Sequence, residues 1–353
     1  MTCKILVLGA SYGSLVGTKL LLAGHSVHLV CLAAEAQLIN AEGTIVRMTP
    51  KGRSAPVDVS SLSLPGKLSA SAPLAIDPAN FDLVVLAMME PQYRGAGVRE
   101  LLDRVGRARV PCLAIMNMPP LPYLARIQGV PIEACKACYT DPTVWDAFDP
   151  ALVTMCSADP QAFRPSQEKM NMLQVGLPTN FKAARFDSDA HTSLLRRLER
   201  DIEAARLPGA EGEIELPVKL KVHDSVFVPL AKWPMLLTGN YRCIGTDSIR
   251  PIQEAVHSDL PASRSIYEWV SDLCRSIGAT DRDLVPFEKY AAAASGLLGP
   301  SSASRAVQAG ARDIERVDRL VMTIGSARGM RSPAIDEIVA TVDNRLDTNR
   351  QRP

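Results

Sequence analysis

CKILVLGA, near the start of the chain, is a continuous apolar run ended by glycine, the pattern of a strand buried on both faces. HSVHLVCLA, FDLVVLAMM and VPCLAIMNM read as further strands within the first 120 or so residues. Between them, SLVGTKLLLAG has helical spacing and a glycine stop at Gly24, and RELLDRVGRA is a second helical stretch. Strands alternating with helices predict a parallel, doubly wound sheet with its ligand crevice at the carboxyl ends of the strands. From Gly43 to Asp82 the chain is irregular and rich in Ser and Pro, and reads as excursions or short strands.

The pattern loosens from about Pro131 to Val222, through MNMLQVGLPTNFKAARF, a helix in HTSLLRRLERDIEAARL and a short alternating strand in ELPVKLKVH. Beyond it every segment is helical in spacing: SVFVPLAKWPMLLTGNY, SRSIYEWVSDLCRSIGA, DLVPFEKYAAAASGLL and ARDIERVDRLVMTIG. In SPAIDEIVATVDNRL, Ser332 is the expected N-cap and Pro333 the first helical residue. The closing TNRQRP reads as a disordered tail. The expected fold is therefore α/β: a Rossmann-like doubly wound domain over 1–220, then an all-helical substrate and dimerisation domain over 221–353. A substrate belongs in the cleft between two such domains.

Composition narrows the function class. The 353 residues are 47% hydrophobic and 22% charged, with 39 Lys and Arg against 38 acidic residues. That balance gives no bias toward nucleic acid or an anionic membrane. No apolar run approaches the ~20 residues of a membrane helix, and the first strand starts at about Lys4. The expectation is a cytoplasmic chain whose eight cysteines are reduced. Cys135 and Cys138 form one C-x-x-C without a second pair or a suitably spaced His, so no metal site is expected. They read as ordinary thiols, with a redox pair as the alternative.

GASYGSLVG, from Gly9 to Gly17, sits where a dinucleotide-binding turn belongs, but its glycines fall at 9, 13 and 17. A Rossmann fingerprint is G-x-G-x-x-G. Either the turn still cradles a pyrophosphate or it is a tight strand-to-helix turn without a ligand.

GASYGSLVG, FDLVVLAMMEPQ, AIMNM, LAKWPMLL, GPSSASRAVQAGARDIERVD and GMRSPAIDEIVATV, in that order, resemble the ketopantoate reductase family, with its 6-phosphogluconate-dehydrogenase-like helical domain. The resemblance covers most of the chain and implies an NAD(P)-dependent oxidoreductase. Gly9 matches the first glycine of the family turn, Ser11 stands at the second, and one residue is missing before Gly13. The implied cofactor contacts are Gly9, Ser11, Tyr12, Gly13, Met88 and Asn117. The cation that meets an NADP 2′-phosphate in the family is Leu32 here, and the family lysine after the next strand is Met89. No acid stands at the tip of the second strand for an NAD ribose, since Glu35 reads as a solvated helix residue. Arg47, Lys51 and Arg53 could supply phosphate contacts instead. The cofactor is NAD or NADP, undecided.

Asn117 matches the asparagine beside the nicotinamide and substrate, and an amide can donate there without changing charge. The family's proton-donating lysine, two residues after the tryptophan, is Met235, and a thioether cannot donate a proton. Lys232 is the alternative donor, although Pro234 should end or restart the helix there. The family asparagine one turn on is Gly239, with Asn240 adjacent and Arg242 placed to clamp a carboxylate. Ser302, beside Ser301, matches the serine that holds the substrate carboxylate. Asp313 takes the place of the family glutamate with a shorter reach, and His257 is a further polar candidate.

The leading expectation is a reductase of a small 2-oxo acid or related imine, or a dehydrogenase of the 2-hydroxy acid, with ketopantoate itself an unsuitable substrate. Asn117, Lys232, Asn240 and Asp313 are its catalytic candidates, and Ser302, Arg242 and His257 its substrate contacts. A homodimer is expected by family analogy, with no nucleic-acid or membrane partner. The alternatives are a non-catalytic dinucleotide-binding protein, acting as sensor or partner, and an opine-type dehydrogenase.

Overall fold

The computed structural model describes residues 2–50, 52–157, 161–165, 167–209 and 212–352. The chain runs β1 (Lys4–Leu8), α1 (Tyr12–Leu22), β2 (Ser26–Val30), α2 (Ala33–Glu42), β3 (Ile45–Met48), β4 (Val57–Ser60), β5 (Lys67–Ser71) and β6 (Leu83–Leu86). Next come α3 (Val98–Ala108), β7 (Cys112–Ile115), α4 (Leu121–Leu124), α5 (Ile132–Cys135), β8 (Val153–Ser157), β9 (Gln161–Phe163), β10 (Met172–Leu177), β11 (Phe181–Ala184) and α6 (Asp189–Ala204). β12 (Leu207–Gly209), β13 (Gly212–Ile214) and β14 (Leu220–His223) precede α7 (Lys232–Met235), α8 (Ile252–His257), α9 (Leu260–Ser276), α10 (Phe287–Ala294), α11 (Ser302–Gln308), α12 (Val317–Ala327) and α13 (Pro333–Gln351). These elements form two compact units: Met1–Met88 with Gln92–Tyr123 and Thr143–Asp224, and Met89–Pro91 with Leu124–Pro142 and Ser225–Pro353.

The first unit is built on an eight-stranded sheet in the order β14-β11-β8-β7-β6-β1-β2-β5. Its strands are parallel except where β11 meets β8. Chain order reverses between β1 and β6, so the switch point of the doubly wound fold lies at their carboxyl ends. Ile5, Leu6, Val7 and Leu8 are all buried, as a central parallel strand covered on both faces requires. α1 lies close on this sheet because Gly13 faces Val7; a β-carbon there would come within 2.7 Å of Cγ1. Gly24 ends that helix with φ +81°, as the glycine stop anticipated.

The irregular stretch after Gly43 holds three strands. β3 and β4 join β9 and β10 in a separate sheet ordered β4-β3-β10-β9, and β5 is the outer strand of the main sheet. In α1, Lys19 is buried, and its Nζ donates to the carbonyls of Leu216 and Pro217, each at 3.1 Å. Burial, helped by Lys219, pulls its ammonium down to about 8.

The second unit is helical. α12 begins at Val317, so residues 311–316 lie outside any helix where the apolar spacing read as helix. Arg316 turns back there, its Nε and Nη2 on the Asp318 carboxylate at 2.9 and 2.8 Å, and both side chains are buried. Ser332 and Pro333 open α13 as expected. The tail does not fray: α13 continues to Gln351, because buried Asn349 donates to the carbonyls of Val307 and Ala311 at 2.8 and 2.9 Å. Among the described residues no helix is long and apolar enough to cross a membrane.

Candidate active site

Within the first unit, three predicted contacts end up at the carboxyl ends of adjacent strands. Gly9 follows β1 with φ +100°, and its N–H donates to Val30 at 2.9 Å. A β-carbon there would meet Met88 Cγ at 2.6 Å and the Ala87 carbonyl oxygen at 2.7 Å. Met88, half-buried, follows β6 and donates its N–H to the Tyr93 hydroxyl at 3.2 Å. Asn117, also half-buried, lies in the bend after β7. Ser11 precedes α1 and caps none of its N–H groups by its side chain, and Tyr12 is the first helical residue.

The turn has kept two of the three jobs that glycines do in a dinucleotide fingerprint. Gly9 makes the tight turn and Gly13 the close helix–strand approach. Only the place where a ligand comes nearest carries a side chain, at Ser11. A side-chain-free cradle at Gly9 and an α1 N-terminus uncapped by Ser11 suit a pyrophosphate, because the helix dipole favours an anion there. The residues therefore fit a dinucleotide.

At the tip of β2, Leu32 is 75% exposed and opens α2. Glu35 is not solvated as its helix position suggested. It is buried and ion-paired with Arg164, which follows β9. Arg47 is held by Asp58 through Nε and Nη2 at 2.7 and 2.8 Å, and by Glu168 at 3.3 Å. Arg53 is exposed, and Lys51 lies outside the described residues.

The second unit carries the remaining candidates. Lys232, half-buried, opens α7, and Pro234 is its third residue. The proline does not end the helical path, contrary to expectation. The backbone widens instead into a π-turn over Leu236–Asn240 and tightens over Tyr241–Cys243. Such bulges recur at functional sites. Met235 gives its carbonyl to the Tyr290 hydroxyl at 3.1 Å, and Tyr290 occupies the space a side chain at Gly239 would need. Asn240 ends the turn, and its carbonyl accepts from Ser301 Oγ at 2.7 Å.

Ser301 caps α11, while Ser302, its first residue, is exposed. Arg242 Nη1 is tied to Ser263 Oγ at 2.7 Å and to the Thr238 carbonyl at 3.3 Å. Burial, with Arg250 nearby, lowers its pKa. His257 Nε2 lies 3.0 Å from the Ala291 carbonyl, a bond in which the ring must donate. Asp313 accepts from Arg350 Nη2 at 2.9 Å.

Two acids were missed by the sequence reading. Glu90 is buried just beyond β6; its oxygens accept from the Thr140 N–H at 2.9 Å and hydroxyl at 2.8 Å. Burial pushes its carboxyl up, and Glu315 adds to the shift. Glu315 is itself buried, and its carbonyl accepts from the Tyr241 hydroxyl at 2.5 Å. Glu90 had one visible signal, a lone acid directly after an apolar strand. Cys135 and Cys138 are free, buried thiols, and burial pushes Cys135 up to about 12. Both stay protonated near neutral pH, which makes them poor nucleophiles. Among the described residues no group of three or more His, Cys, Asp or Glu could hold a metal ion.

No protein-family model matches the chain, and no curated protein matches it. Its fold recurs in solved structures over nearly the whole length of both chains. D-mandelate dehydrogenase, solved with NADH and anilino(oxo)acetate, is similar over 99% of this chain and 100% of its own, with TM-score 0.67 and 14% identity. The 2-dehydropantoate 2-reductase from Methylococcus capsulatus is similar over 99% and 98%, with TM-score 0.65 and 14% identity. A dimeric ketopantoate reductase from Staphylococcus aureus is similar over 98% and 99%, with TM-score 0.60 and 8% identity. The chain thus has the fold that its motifs anticipated.

Proposed function

We propose that the chain is an NAD(P)-dependent oxidoreductase that interconverts a small 2-oxo acid, or a related imine, and its reduced form. The reading rests above all on Gly9: a positive φ, no room for a β-carbon, and α1 starting at once beyond it. Solved relatives of the same fold that are named as reductases or dehydrogenases, one of them holding NADH, support it.

A bound nicotinamide supplies the hydride. The chain's own part begins at the turn, where Gly9, Ser11, Tyr12 and Gly13 hold the pyrophosphate, with Met88 and Asn117 at the neighbouring strand ends. Asn117 donates to the substrate oxygen, and exposed Ser302 takes the carboxylate. Hydride addition leaves negative charge on oxygen, so a proton must follow. Lys232 is the donor this reading prefers, from its place at the start of α7 beside Trp233, and His257 is tied to the Ala291 carbonyl. Asn240, the last residue of the π-turn, is a further catalytic candidate, and Arg242, just beyond that turn, a substrate contact. The acid of the segment is Asp313, or Glu315 two residues on, which unlike Asp313 is buried. The missing lysine at Met235 argues against ketopantoate. The remaining proposals are a cytoplasmic homodimer and no nucleic-acid or membrane partner.

A second reading, a non-catalytic dinucleotide-binding protein, is favoured by one observation. Where the family has lysine and asparagine, this chain has Met235 and Gly239, and Tyr290 fills the second space. Titration of the purified chain with NADH and NADPH, then a screen of 2-oxo acids with and without an amine, separates the readings. Turnover supports the first, with Asn117→Ala and Ser302→Ala each lowering kcat/KM by about 10². Binding without any turnover favours the second. No binding of either nucleotide up to millimolar concentration sinks both.

A further inference from the structure

We infer that this chain selects NADH over NADPH, because Leu32 at the end of β2 is exposed hydrocarbon and the guanidinium that reaches this end, Arg164, is already paired with buried Glu35. The inference rests on the dinucleotide-binding reading above.

In a doubly wound sheet the adenosine ribose lies at the carboxyl end of the second strand. Three residues there decide which ribose fits. Leu32 presents hydrocarbon, 75% exposed, at the first position beyond the strand end and Cys31. A doubly charged phosphate set against it would lose water and gain no partner. Arg164 does bring a guanidinium to this end of the strand, from the segment after β9, about 130 residues away in sequence. Both of its neighbours register it: Glu35 pairs with it, and the Cys31 thiol feels the charges of Glu35 and Arg164 in opposite senses.

That guanidinium is already neutralised. Glu35 is buried, and the Arg164 side chain is 34% exposed, so the pair is fixed from the protein side. A 2′-phosphate would have to compete with Glu35 for Arg164 and would leave a buried carboxylate unpaired, which is costly. A ribose 2′-hydroxyl carries no charge and leaves the pair intact. Arg47, the next arginine along the chain, is likewise held by Asp58 and Glu168.

Calorimetric titration of the full chain with each nucleotide tests this directly. The wild type should bind NADH at least about tenfold more tightly than NADPH. Glu35→Gln releases the guanidinium and should narrow or reverse that ratio by about tenfold. Leu32→Arg adds a cation at an exposed site where folding is not at stake, and should move the ratio the same way. Tighter NADPH binding by the wild type overturns the inference, as does an unchanged ratio in both variants. Failure to bind either nucleotide overturns the dinucleotide reading beneath it, an outcome distinct from binding with the wrong preference.

Discussion

The Tyr290 hydroxyl stands in the space that any side chain at Gly239 would occupy, and from there it donates to the Met235 carbonyl. One residue thus fills a gap in α7's continuation and holds the carbonyl just ahead of the π-turn. Gly239→Ala must push Tyr290 away, an overpacking cost of about 1–3 kcal/mol. Tyr290→Phe alone removes one hydrogen bond, at roughly 1 kcal/mol. If the two residues share this space, the double variant is more stable than the sum of the single losses predicts. Urea unfolding of the four proteins measures the coupling, and strict additivity would refute it.

Gly9 and Ser11 make opposite predictions about the nucleotide. Gly9→Ala forces a β-carbon onto Ala87 and Met88 at a backbone angle that disfavours it. It should lower stability by about 1–3 kcal/mol and weaken NADH binding tenfold or more. Ser11→Gly removes the one side chain at the point of closest ligand approach. Ser11 sits at φ −76° and ψ −87°, outside the ordinary helical and extended regions, so the change also frees the backbone at that point. Calorimetry should show tighter NADH binding, and weaker binding would mean that the serine hydroxyl holds a phosphate.

The buried Glu90 carboxyl makes a pH prediction. Its pKa in the folded chain lies above the ordinary glutamate value, chiefly through burial. Between the ordinary value and the native one, the folded state binds more protons than the unfolded state, so stability falls as pH rises. Above the native value that loss is complete. Glu90→Gln keeps an acceptor for Thr140 and never ionises. The stability of the variant relative to wild type should therefore grow with rising pH above about 4.3 and then level off. A difference that stays constant across this range in urea unfolding would remove the shift.

Why some of this was legible in sequence and some was not follows from distance along the chain. The strands at Lys4–Leu8 and Leu83–Leu86 announce themselves because a strand buried on both faces must be apolar throughout. The caps Ser332 and Gly24 are equally local. By contrast, Glu35 reads as solvated until Arg164 arrives from 129 residues away. Gly239 reads as a lost asparagine until Tyr290 comes from another helix. The sheet of β3, β4, β9 and β10 pairs segments that separately look irregular. Asn349 turned a polar tail into a helix end by reaching two carbonyls outside its own helix. Local pattern fixes elements, whereas the state of a charge depends on partners that spacing cannot show.

Lys19 gives the last prediction, in the alkaline range. An ordinary lysine titrates near 10.4, and burial holds this one at about 8 in the folded chain. Lys219 and Arg206 push it down further, while Glu215 and Glu203 pull it up. Below pH 8 the ammonium is charged in both states, and its burial costs roughly 3 kcal/mol. From about pH 8 to 10.4 the unfolded chain binds more protons, so stability should rise with pH in that window. Glu203, held near 2 by Lys219 and Lys221, stays ionised throughout and adds no slope. Lys19→Met keeps the stem of the side chain and removes the titration. Urea unfolding at pH 7.5, 8.5 and 9.5 should show a rise in the wild type that is lost in the variant. Parallel curves for the two proteins would mean that Lys19 keeps its ordinary affinity for the proton.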